Sequence, residues 1–321
     1  CALPIYPLAR HRTAMLPRPA SLALLLALCG TTGACGEYGT TSATSGSAKP
    51  PAQAVKIVNW NVHNFVNDVI DSDVLAEELD SNWQSHKTDI ARVLREIDAD
   101  IVMLQEIENG TVLVALNAEL DNAYPFLVLY PGNDPRGINI ALLSKIEVLL
   151  AKTHRSEKFK KAGDPHGPAY RYARDCVEVH VKIGERPVVL LGVHYKAKEN
   201  DNPDKRLAEA QHTRAIADQL AEEDPERAMV ILGDFNDTPG SSPYDWTLGT
   251  DPSRYRNAAD HVQAPLRWTF NYKGKLELVD QQMANPVLYE MLDPNTVEIL
   301  HTDAVDAASD HAPIVATYEI Q

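Results

Sequence analysis

The chain has 321 residues, of which 44% are hydrophobic and 23% are charged, as in an ordinary soluble globular protein. Its formal net charge of −15 argues against a general polyanion binder and favours a small substrate, a local basic patch or a bound cation. Of its four cysteines only Cys176 lies in the part predicted to fold, which excludes a disulfide framework and a cysteine-based zinc site.

Residues 1–35 predict an upstream extension followed by an export signal. Arg18 precedes an apolar stretch at 21–28 (SLALLLAL), which is too short to span a bilayer but suits a signal peptide. Gly33-Ala34-Cys35 resembles the bacterial lipoprotein signal, in which the cysteine carries a lipid anchor. The alternative is ordinary cleavage near Ala34 and release. We therefore expect an exported protein that is periplasmic, extracellular or an outer-membrane lipoprotein.

Residues 36–53 are rich in Gly, Ser, Thr and Pro and predict a flexible tether, so the folded domain is expected at 54–321. Six apolar runs in this domain predict buried strands, each with polar side chains at one end. The runs and their polar ends are 55–58 before Asn59 and Asn61, 101–104 before Gln105 and Glu106, 188–191 before His194, 228–231 before Asp234 and Asn236, 276–279 before Asp280, and 313–318 after Asp310 and His311.

Helical patterns lie between these strands. Ile90, Val93, Leu94 and Ile97 have the spacing of an amphipathic helix, and a second helix is expected over 207–220, closed by Asp224 and Pro225. Further strands are expected at 137–144 and 177–181. This mixture indicates an α/β domain with two β-layers inside and helices outside.

The polar strand ends form the strongest functional signal. A single acidic residue at a strand end usually caps a turn. Six strands with Asn, Glu, His and Asp at their ends are difficult to explain by turn chemistry alone. We therefore expect these ends to converge on a site.

The motifs around these ends resemble the endonuclease/exonuclease/phosphatase superfamily. The resemblance covers residues 55–321 and rests on NWNVHNF (59–65), IVMLQEIEN (101–109), LLGVHYKAK (190–198), ILGDFND (231–237), LELVDQQ (276–282) and SDHAP (309–313). RGINIALLSK (136–145) and TFNYKGKLELVD (269–280) resemble the extracellular bacterial nuclease branch most closely. The resemblance implies a four-layer sandwich in which two mixed β-sheets pack face to face and helices cover both outer sides.

The resemblance also implies a divalent-metal site. Glu106 would be the main ligand, with Asp310 and the side chain of Asn61 completing the site. Mg²⁺ is the expected ion because it prefers oxygen ligands, and Mn²⁺ or Ca²⁺ would also suit such a set. His63 departs from the family pattern, since several members carry Asp at that position near the metal.

The remaining site residues are expected to act on phosphate and water. His311 would be paired with Asp280, which fixes the tautomer of the ring. Asp234 would activate or orient the attacking water, and the sequence leaves open whether Asp234 or His311 takes the proton. Asn236 would orient Asp234 or hold a phosphate oxygen. His194 would donate to the phosphate or protonate the leaving group.

Arginine side chains are further candidates because a guanidinium can bind phosphate through paired N–H groups. Surface ion pairs are the alternative for each of them. The candidates are Arg136, Arg171, Arg174 and Arg206.

Three functions fit these observations. The first is a metal-dependent phosphodiester hydrolase that cuts DNA or RNA outside the cytoplasm, acting as a monomer without a stable protein partner. The second is a phosphatase or a phospholipase C-type enzyme acting on a lipid or sugar phosphate. The third is a binding protein that has lost catalysis, against which the intact acidic and histidine motifs argue.

Overall fold

The computed structural model describes residues 52–69 and 79–321. These residues form two six-stranded mixed sheets that pack face to face, with helices on both outer sides. This arrangement confirms the predicted four-layer α/β sandwich. The predicted export signal, Cys35 and the tether up to residue 51 lie outside the described residues.

The described part of the chain contains fourteen strands and six α-helices. The strands are β1 (Gln53–Phe65), β2 (Ile101–Ile107), β3 (Phe126–Leu129), β4 (Asn139–Ser144), β5 (Val148–Thr153), β6 (Cys176–Ile183), β7 (Arg186–His194), β8 (Ala228–Asp234), β9 (Arg256–Asn257), β10 (Phe270–Tyr272), β11 (Lys275–Glu277), β12 (Asp280–Ala284), β13 (Leu292–Ile299) and β14 (Ile314–Ile320). The helices are α1 (Trp83–Ile97), α2 (Gly110–Glu119), α3 (Pro203–Glu223), α4 (Ser242–Leu248), α5 (Pro286–Tyr289) and α6 (Asp303–Ala308).

The two large sheets share one design. The first has the strand order β13-β14-β1-β2-β4-β3, and the second has the order β5-β6-β7-β8-β12-β9. Each contains one parallel pair near its centre, β1 with β2 and β7 with β8. Strands β10 and β11 form a separate hairpin. No helix among the described residues is long and apolar enough to cross a membrane.

The central strands are buried on both faces, which explains why they read as continuous apolar runs. In β7, Val188 and Leu190 pack into the core between the sheets, whereas Val189 and Leu191 pack against α3 and α4. Helix α1 covers the first sheet through the predicted stripe, since Ile90, Val93, Leu94 and Ile97 are all buried.

One predicted strand boundary is wrong. The sequence predicted a strand at 276–279 that ends at Asp280, but β11 stops at Glu277 and Asp280 begins β12. The Thr269 hydroxyl oxygen accepts the backbone N–H groups of Val279 and Asp280, each at 3.1 Å. Because this side chain takes both donors, the strand ladder is interrupted between β11 and β12.

Candidate active site

The polar strand ends meet at one edge of the sandwich, which we call the site edge. Parallel strands end on the same side of a sheet, and in the second sheet His194 lies beside Asp234. Strand β12 runs antiparallel to β8 and therefore starts at this edge, where Asp280 lies opposite Asp234. The amide of Asn61, where the regular pairing of β1 with β2 ends, joins the first sheet to the second by donating to Asp234 Oδ2 at 3.1 Å.

Glycine at position 233 allows β8 to deliver Asp234 to this edge. Gly233 has a φ of 146°, and a Cβ atom there would lie 1.8 Å from the carbonyl oxygen of Val193. After the strand, Asn236 turns into the left-handed region with a φ of 50°, and its backbone N–H donates to Asp234 Oδ1 at 2.7 Å. The GDFN segment is thus a tight turn that fixes the Asp234 carboxylate.

Glu106 reaches the site because it is the extra residue of a β-bulge. The register of β2 with β4 shifts between Gln105 and Ile107, and Glu106 has a φ of 69°. On its other side, β1 shifts register between Asn61 and Phe65. The shift brings the backbone N–H of Asn64 to Glu106 Oε2 at 2.7 Å. A bulge of this kind redirects one side chain, here the carboxylate of Glu106.

Asn61 bridges two carboxylates through its amide nitrogen. Nδ2 donates to Glu106 Oε1 at 3.3 Å and to Asp234 Oδ2 at 3.1 Å, while Oδ1 accepts the N–H of His63 at 3.0 Å. To serve as a metal ligand through oxygen, this amide would have to turn over.

His311 forms a buried pair with Asp280. Its Nδ1 lies 2.7 Å from Asp280 Oδ2, which leaves Nε2 for a substrate. The backbone on both sides is also held, because the N–H of His311 donates to Ser309 Oγ and the Trp60 indole N–H donates to the carbonyl of His311. Ser309 Oγ donates in turn to the carbonyl of Asn61 at 2.8 Å, which connects this segment to β1.

His194 and Asp280 lie on opposite sides of Asp234, because β8 is the strand between β7 and β12. The Nε2 atom of His194 is 3.4 Å from Asp234 Oδ2 and 4.0 Å from Glu106 Oε1, and the side chain is buried. Burial lowers the pKa of His194 well below its usual range, and the positive charges of Arg174 and Arg136 lower this pKa further. A neutral His194 can donate one hydrogen bond without adding charge to the site.

Two pKa values at the site are raised. Burial, followed by the negative charge of Asp280, raises the pKa of Asp234 to about 7. Burial alone would lower the pKa of His311, but the carboxylate of Asp280 outweighs this effect and raises the pKa to about 10. At neutral pH the His311 ring is therefore cationic, and it lies near the Asp234 carboxylate, which protonates near neutrality.

The donor set fits a hard divalent cation. The carboxylates of Asp234 and Asp280 supply the oxygen donors of a cluster that also contains His311 and spans at most 4.8 Å, and Asn61 bridges Asp234 to Glu106. Asp280 Oδ1 is buried and has no hydrogen-bond partner. Carboxylate and carbonyl oxygens are the ligands that Mg²⁺ prefers, and a cation would offset the concentration of negative charge. Glu106, Asn61 and Asp310 remain the predicted ligands, with the three-residue cluster beside them.

Asp310 lies on the exposed rim of this arrangement. Its side chain is 44% exposed, and its Oδ1 is 3.8 Å from Nδ1 of His63. His63, at the position where several family members carry Asp, thus faces the predicted ligand Asp310.

The four predicted phosphate-binding arginines separate into two groups. Arg136 and Arg174 adjoin the site: Arg136 donates to Asn64 Oδ1 at 3.2 Å, and Arg174 donates to the carbonyl of Tyr195 at 2.8 Å. The same carbonyl accepts from Nδ2 of Asn236 at 3.2 Å. The other two have different partners. Arg206 bonds to Asp237 and Asp201, and Arg171 donates to the carbonyl of Ser156.

Sequence reasoning missed several residues that support the site. Asp134 holds both site arginines, because it bonds to Arg136 and its Oδ2 lies 2.6 Å from Arg174 Nε. Thr269 supports Asp280, as described above, and the ring of Phe270 lies 4.7 Å from that of His311. Thr269 and Phe270 belong to the quoted 269–280 motif, but nothing in a sequence shows that its start contacts the SDHAP segment.

Comparison with known families and structures is consistent with this geometry. The family model described as "Endonuclease/Exonuclease/phosphatase family" matches residues 56–305. No curated protein matches the chain significantly.

Solved structures share the fold at low sequence identity. A truncated Caenorhabditis elegans TDP2 is 17% identical with a TM-score of 0.58, and the match covers 83% of this chain and 97% of that one. The endonuclease/exonuclease/phosphatase from Bacteroides vulgatus is 19% identical with a TM-score of 0.58, and the match covers 84% of this chain and 100% of that one. The human Nocturnin catalytic domain, solved with bound sulfate, is 12% identical with a TM-score of 0.57, and the match covers 84% of this chain and 95% of that one.

Proposed function

Because this chain belongs to the endonuclease/exonuclease/phosphatase family and is thus a phosphoesterase, we propose that it is a divalent-metal-dependent nuclease. Its substrate would be DNA or RNA, cut by attack of water on phosphorus. One observation carries the proposal: the Glu106–Asn61–Asp234 network and the Asp280–His311 pair adjoin at one sheet edge.

Each part of this arrangement meets a need of phosphodiester hydrolysis. The negative charge of the ester repels nucleophiles, so the site must place positive charge on the phosphoryl oxygens and a proton acceptor near the water. His311 supplies a hydrogen-bond donor through Nε2, because Asp280 occupies its Nδ1. Asp234 is held by Asn236 and Asn61 in one orientation, as a positioned proton acceptor requires. His194 lies where it can donate to the phosphate or the leaving oxygen.

A divalent ion would be held by Glu106, with Asp310 and Asn61, once its amide has turned over, as further ligands. When bound, it would neutralise phosphoryl charge and polarise the ester. Asn64 would keep Glu106 in place for this role, since its backbone N–H already binds Oε2.

The nuclease assignment and the location of the protein rest on the sequence. The 136–145 and 269–280 motifs resemble extracellular bacterial nucleases, and residues 1–35 resemble an export signal that ends in a lipoprotein-type Cys35. We propose an exported protein, monomeric and with no stable protein partner, that acts on nucleic acid in the periplasm, at the outer membrane or outside the cell. Arg136 and Arg174 would attract the phosphate backbone despite the overall negative charge.

Substrate tests on the purified full chain separate the candidate functions. With Mg²⁺, we expect nicking of plasmid DNA or cleavage of RNA, both abolished by chelator. If only small lipid or sugar phosphate esters are hydrolysed, the phosphatase or phospholipase alternative replaces the nuclease. If metal binds but no phosphoester is hydrolysed, both enzymatic proposals fail.

A further inference from the structure

A short hairpin projects from the site beside His311. It consists of β10 and β11 (Phe270–Glu277, hereafter the aromatic hairpin), joined by the two residues Lys273 and Gly274. Both have positive φ, 51° and 88°, which is the conformation of the tight turn that matches strand twist. Asn271 Oδ1 accepts the N–H of Gly274 at 2.9 Å, so the turn is fixed.

The base of the aromatic hairpin is attached to the site from two directions. Thr269 Oγ1 accepts the N–H of Asp280, and the Thr269 carbonyl accepts the N–H of Ala312 at 2.7 Å. Phe270 also forms a β-bridge with His311. The hairpin is therefore positioned by the same two segments that hold the Asp280–His311 pair.

Aromatic rings lead from His311 outward along one face of the aromatic hairpin. The Phe270 ring lies 4.7 Å from the His311 ring, and the Tyr272 ring lies 6.2 Å from Phe270 at an interplanar angle of 22°. Tyr272 is 53% exposed. An exposed ring at the end of such a series is available to a planar group carried by the substrate.

A positive charge lies beside this exposed ring. Lys273 Nζ lies 5.1 Å from the centroid of Tyr272, whereas Lys275, the cross-strand neighbour of Tyr272, is paired with Glu277 through Nζ at 2.7 Å. In a chain of net charge −15, Lys273 therefore supplies the local positive charge at this aromatic residue. The combination of an aromatic face and adjacent positive charge is the arrangement with which proteins bind single-stranded nucleic acid.

We propose that Tyr272 stacks on an unpaired nucleobase flanking the phosphodiester bond, with Lys273 next to the neighbouring phosphate. This inference rests on the proposed function and narrows its substrate to single-stranded or locally opened nucleic acid. Phe270 contributes by holding the aromatic hairpin against His311, so that the stacked base and the reacting phosphate keep a fixed relation.

The residues at the tip of the aromatic hairpin favour binding to a nucleobase over insertion into a membrane. A hairpin that enters lipid needs an apolar tip, whereas this tip is Lys273 and Gly274. Leu276 is exposed, but it pairs with Asn271 and is one position from Lys275, the cross-strand partner of Tyr272. Because successive residues of a strand alternate between faces, Leu276 lies on the face of the hairpin opposite to Tyr272. One aromatic residue flanked by charges is sufficient for stacking and gives little area for insertion.

Binding measurements test this stacking independently of catalysis. Fluorescence anisotropy would give Kd values, with Mg²⁺ present, for two labelled phosphorothioate strands that resist hydrolysis: an oligothymidylate and an abasic strand of equal length. We expect the protein to bind the strand with bases roughly tenfold more tightly, as loss of a base–aromatic stack commonly weakens binding by about this factor or more.

Substitutions locate the effect on the ring. Tyr272→Leu should weaken binding of the oligothymidylate about tenfold and leave the abasic strand unchanged, whereas Tyr272→Phe should bind both like the unaltered protein. Leu276→Ala, on the opposite face of the aromatic hairpin, is the matched control and should change neither Kd. Unaltered thermal midpoints would exclude an effect on folding.

The outcomes separate stacking from catalysis and from membrane binding. The stacking proposal is wrong if Tyr272→Leu affects both strands equally or neither, or if the protein shows no preference for bases. If the protein co-sediments with phosphatidylglycerol vesicles in a way that depends on Tyr272 and shows no preference for bases, the aromatic hairpin binds membranes and the stacking proposal is wrong. If base-dependent binding is found but no nucleic acid is cut, the stacking stands and the nuclease proposal fails.

Discussion

Asp280 and Asp234 lie directly opposite each other in adjacent antiparallel strands, and both are buried. Two carboxylates in this relation repel each other, and each has a different partner that offsets the repulsion. His311 binds Asp280, whereas Asn236 and Asn61 donate to Asp234. The strand register therefore sets the separation of the two acidic groups, and hydrogen bonds give them different roles.

Asp280→Asn should lower the turnover of phosphodiester substrate by about 100-fold or more while the protein remains folded. The amide keeps the shape of the side chain but removes the charge that stabilises a cationic His311 ring. Steady-state hydrolysis and the thermal midpoint would be measured together. Asp260→Asn, at an exposed site, serves as the control. Full activity of the Asp280 variant would exclude a role for the pair.

Glu106→Gln should weaken Mg²⁺ binding by at least about tenfold, because the neutral amide loses the charge that a hard cation requires. Calorimetric titration of the metal alone gives this result without a substrate. The exposed Glu96 on α1 provides a control, since Glu96→Gln removes the same charge away from the site. Equal affinities in all three proteins would show that Glu106 is not a ligand.

Gly233→Ala should destabilise the protein by roughly 3 kcal/mol or more, since the new Cβ would meet the Val193 carbonyl and the backbone is in a region that favours glycine. Gly110→Ala, at the first position of α2 where a Cβ would contact nothing within 4 Å, should be neutral or slightly stabilising. Urea unfolding of both variants compares the two sites. A Gly233 variant as stable as the unaltered protein would contradict this account.

A buried cluster of Glu178 with two histidines, outside the site, should make the free energy of unfolding depend on pH in the acid range. Burial alone would raise the pKa of Glu178, but hydrogen bonds from His154 and His180 hold it well below its usual range. The unfolded chain then binds more protons in acid, so this stabilisation is present above about pH 4.5 and is lost as the pH falls.

Glu178→Gln should remove that dependence. Between pH 5 and pH 3 the unaltered protein should lose roughly 2 kcal/mol more unfolding free energy than the variant. Glu185→Gln, whose side chain is 88% exposed beside Lys182, should behave like the unaltered protein. Parallel acid dependence in the Glu178 variant and the unaltered protein would rule out this contribution.

The two groups of arginines should differ in kinetics. Arg136→Ala should lower kcat/KM on nucleic acid by roughly tenfold, because Arg136 contacts Asn64 next to Glu106 and adds positive charge near His194. Arg171→Ala should leave kcat/KM unchanged, since the Arg171 side chain bonds to Ser156. Equal losses in both variants would show that overall charge matters more than position.

The sequence allowed the fold class and most strand positions to be predicted because apolar runs such as 188–191 and 228–231 are buried on both faces. It also predicted that polar residues follow these runs, and Asn61, Glu106, His194, Asp234 and Asp280 do lie at one edge. Parallel pairing of β1 with β2 and of β7 with β8 explains this success for the first four residues, since strands that run in the same direction end on the same side. Asp280 lies at this edge because β12 runs antiparallel to β8 and starts there.

The local backbone features that orient the site side chains could not be predicted from the sequence. The bulge at Glu106 depends on how β2 pairs with two different neighbours, which is set by tertiary structure. The interruption before Asp280 depends on Thr269, eleven residues earlier. The aromatic hairpin was missed because its strands have three residues each, too few to show a period.

At Gly192 the two sheets come into such close contact that an added Cβ would lie 2.5 Å from the sulfur of Met103. Asn61 and Glu106 belong to one sheet, whereas His194, Asp234 and Asp280 belong to the other. A bulkier side chain in this interior layer would slide one half of the reaction centre past the other. Selection for chemistry would therefore constrain core residues that never meet the substrate, and inactive yet well-folded variants should arise from purely hydrophobic exchanges.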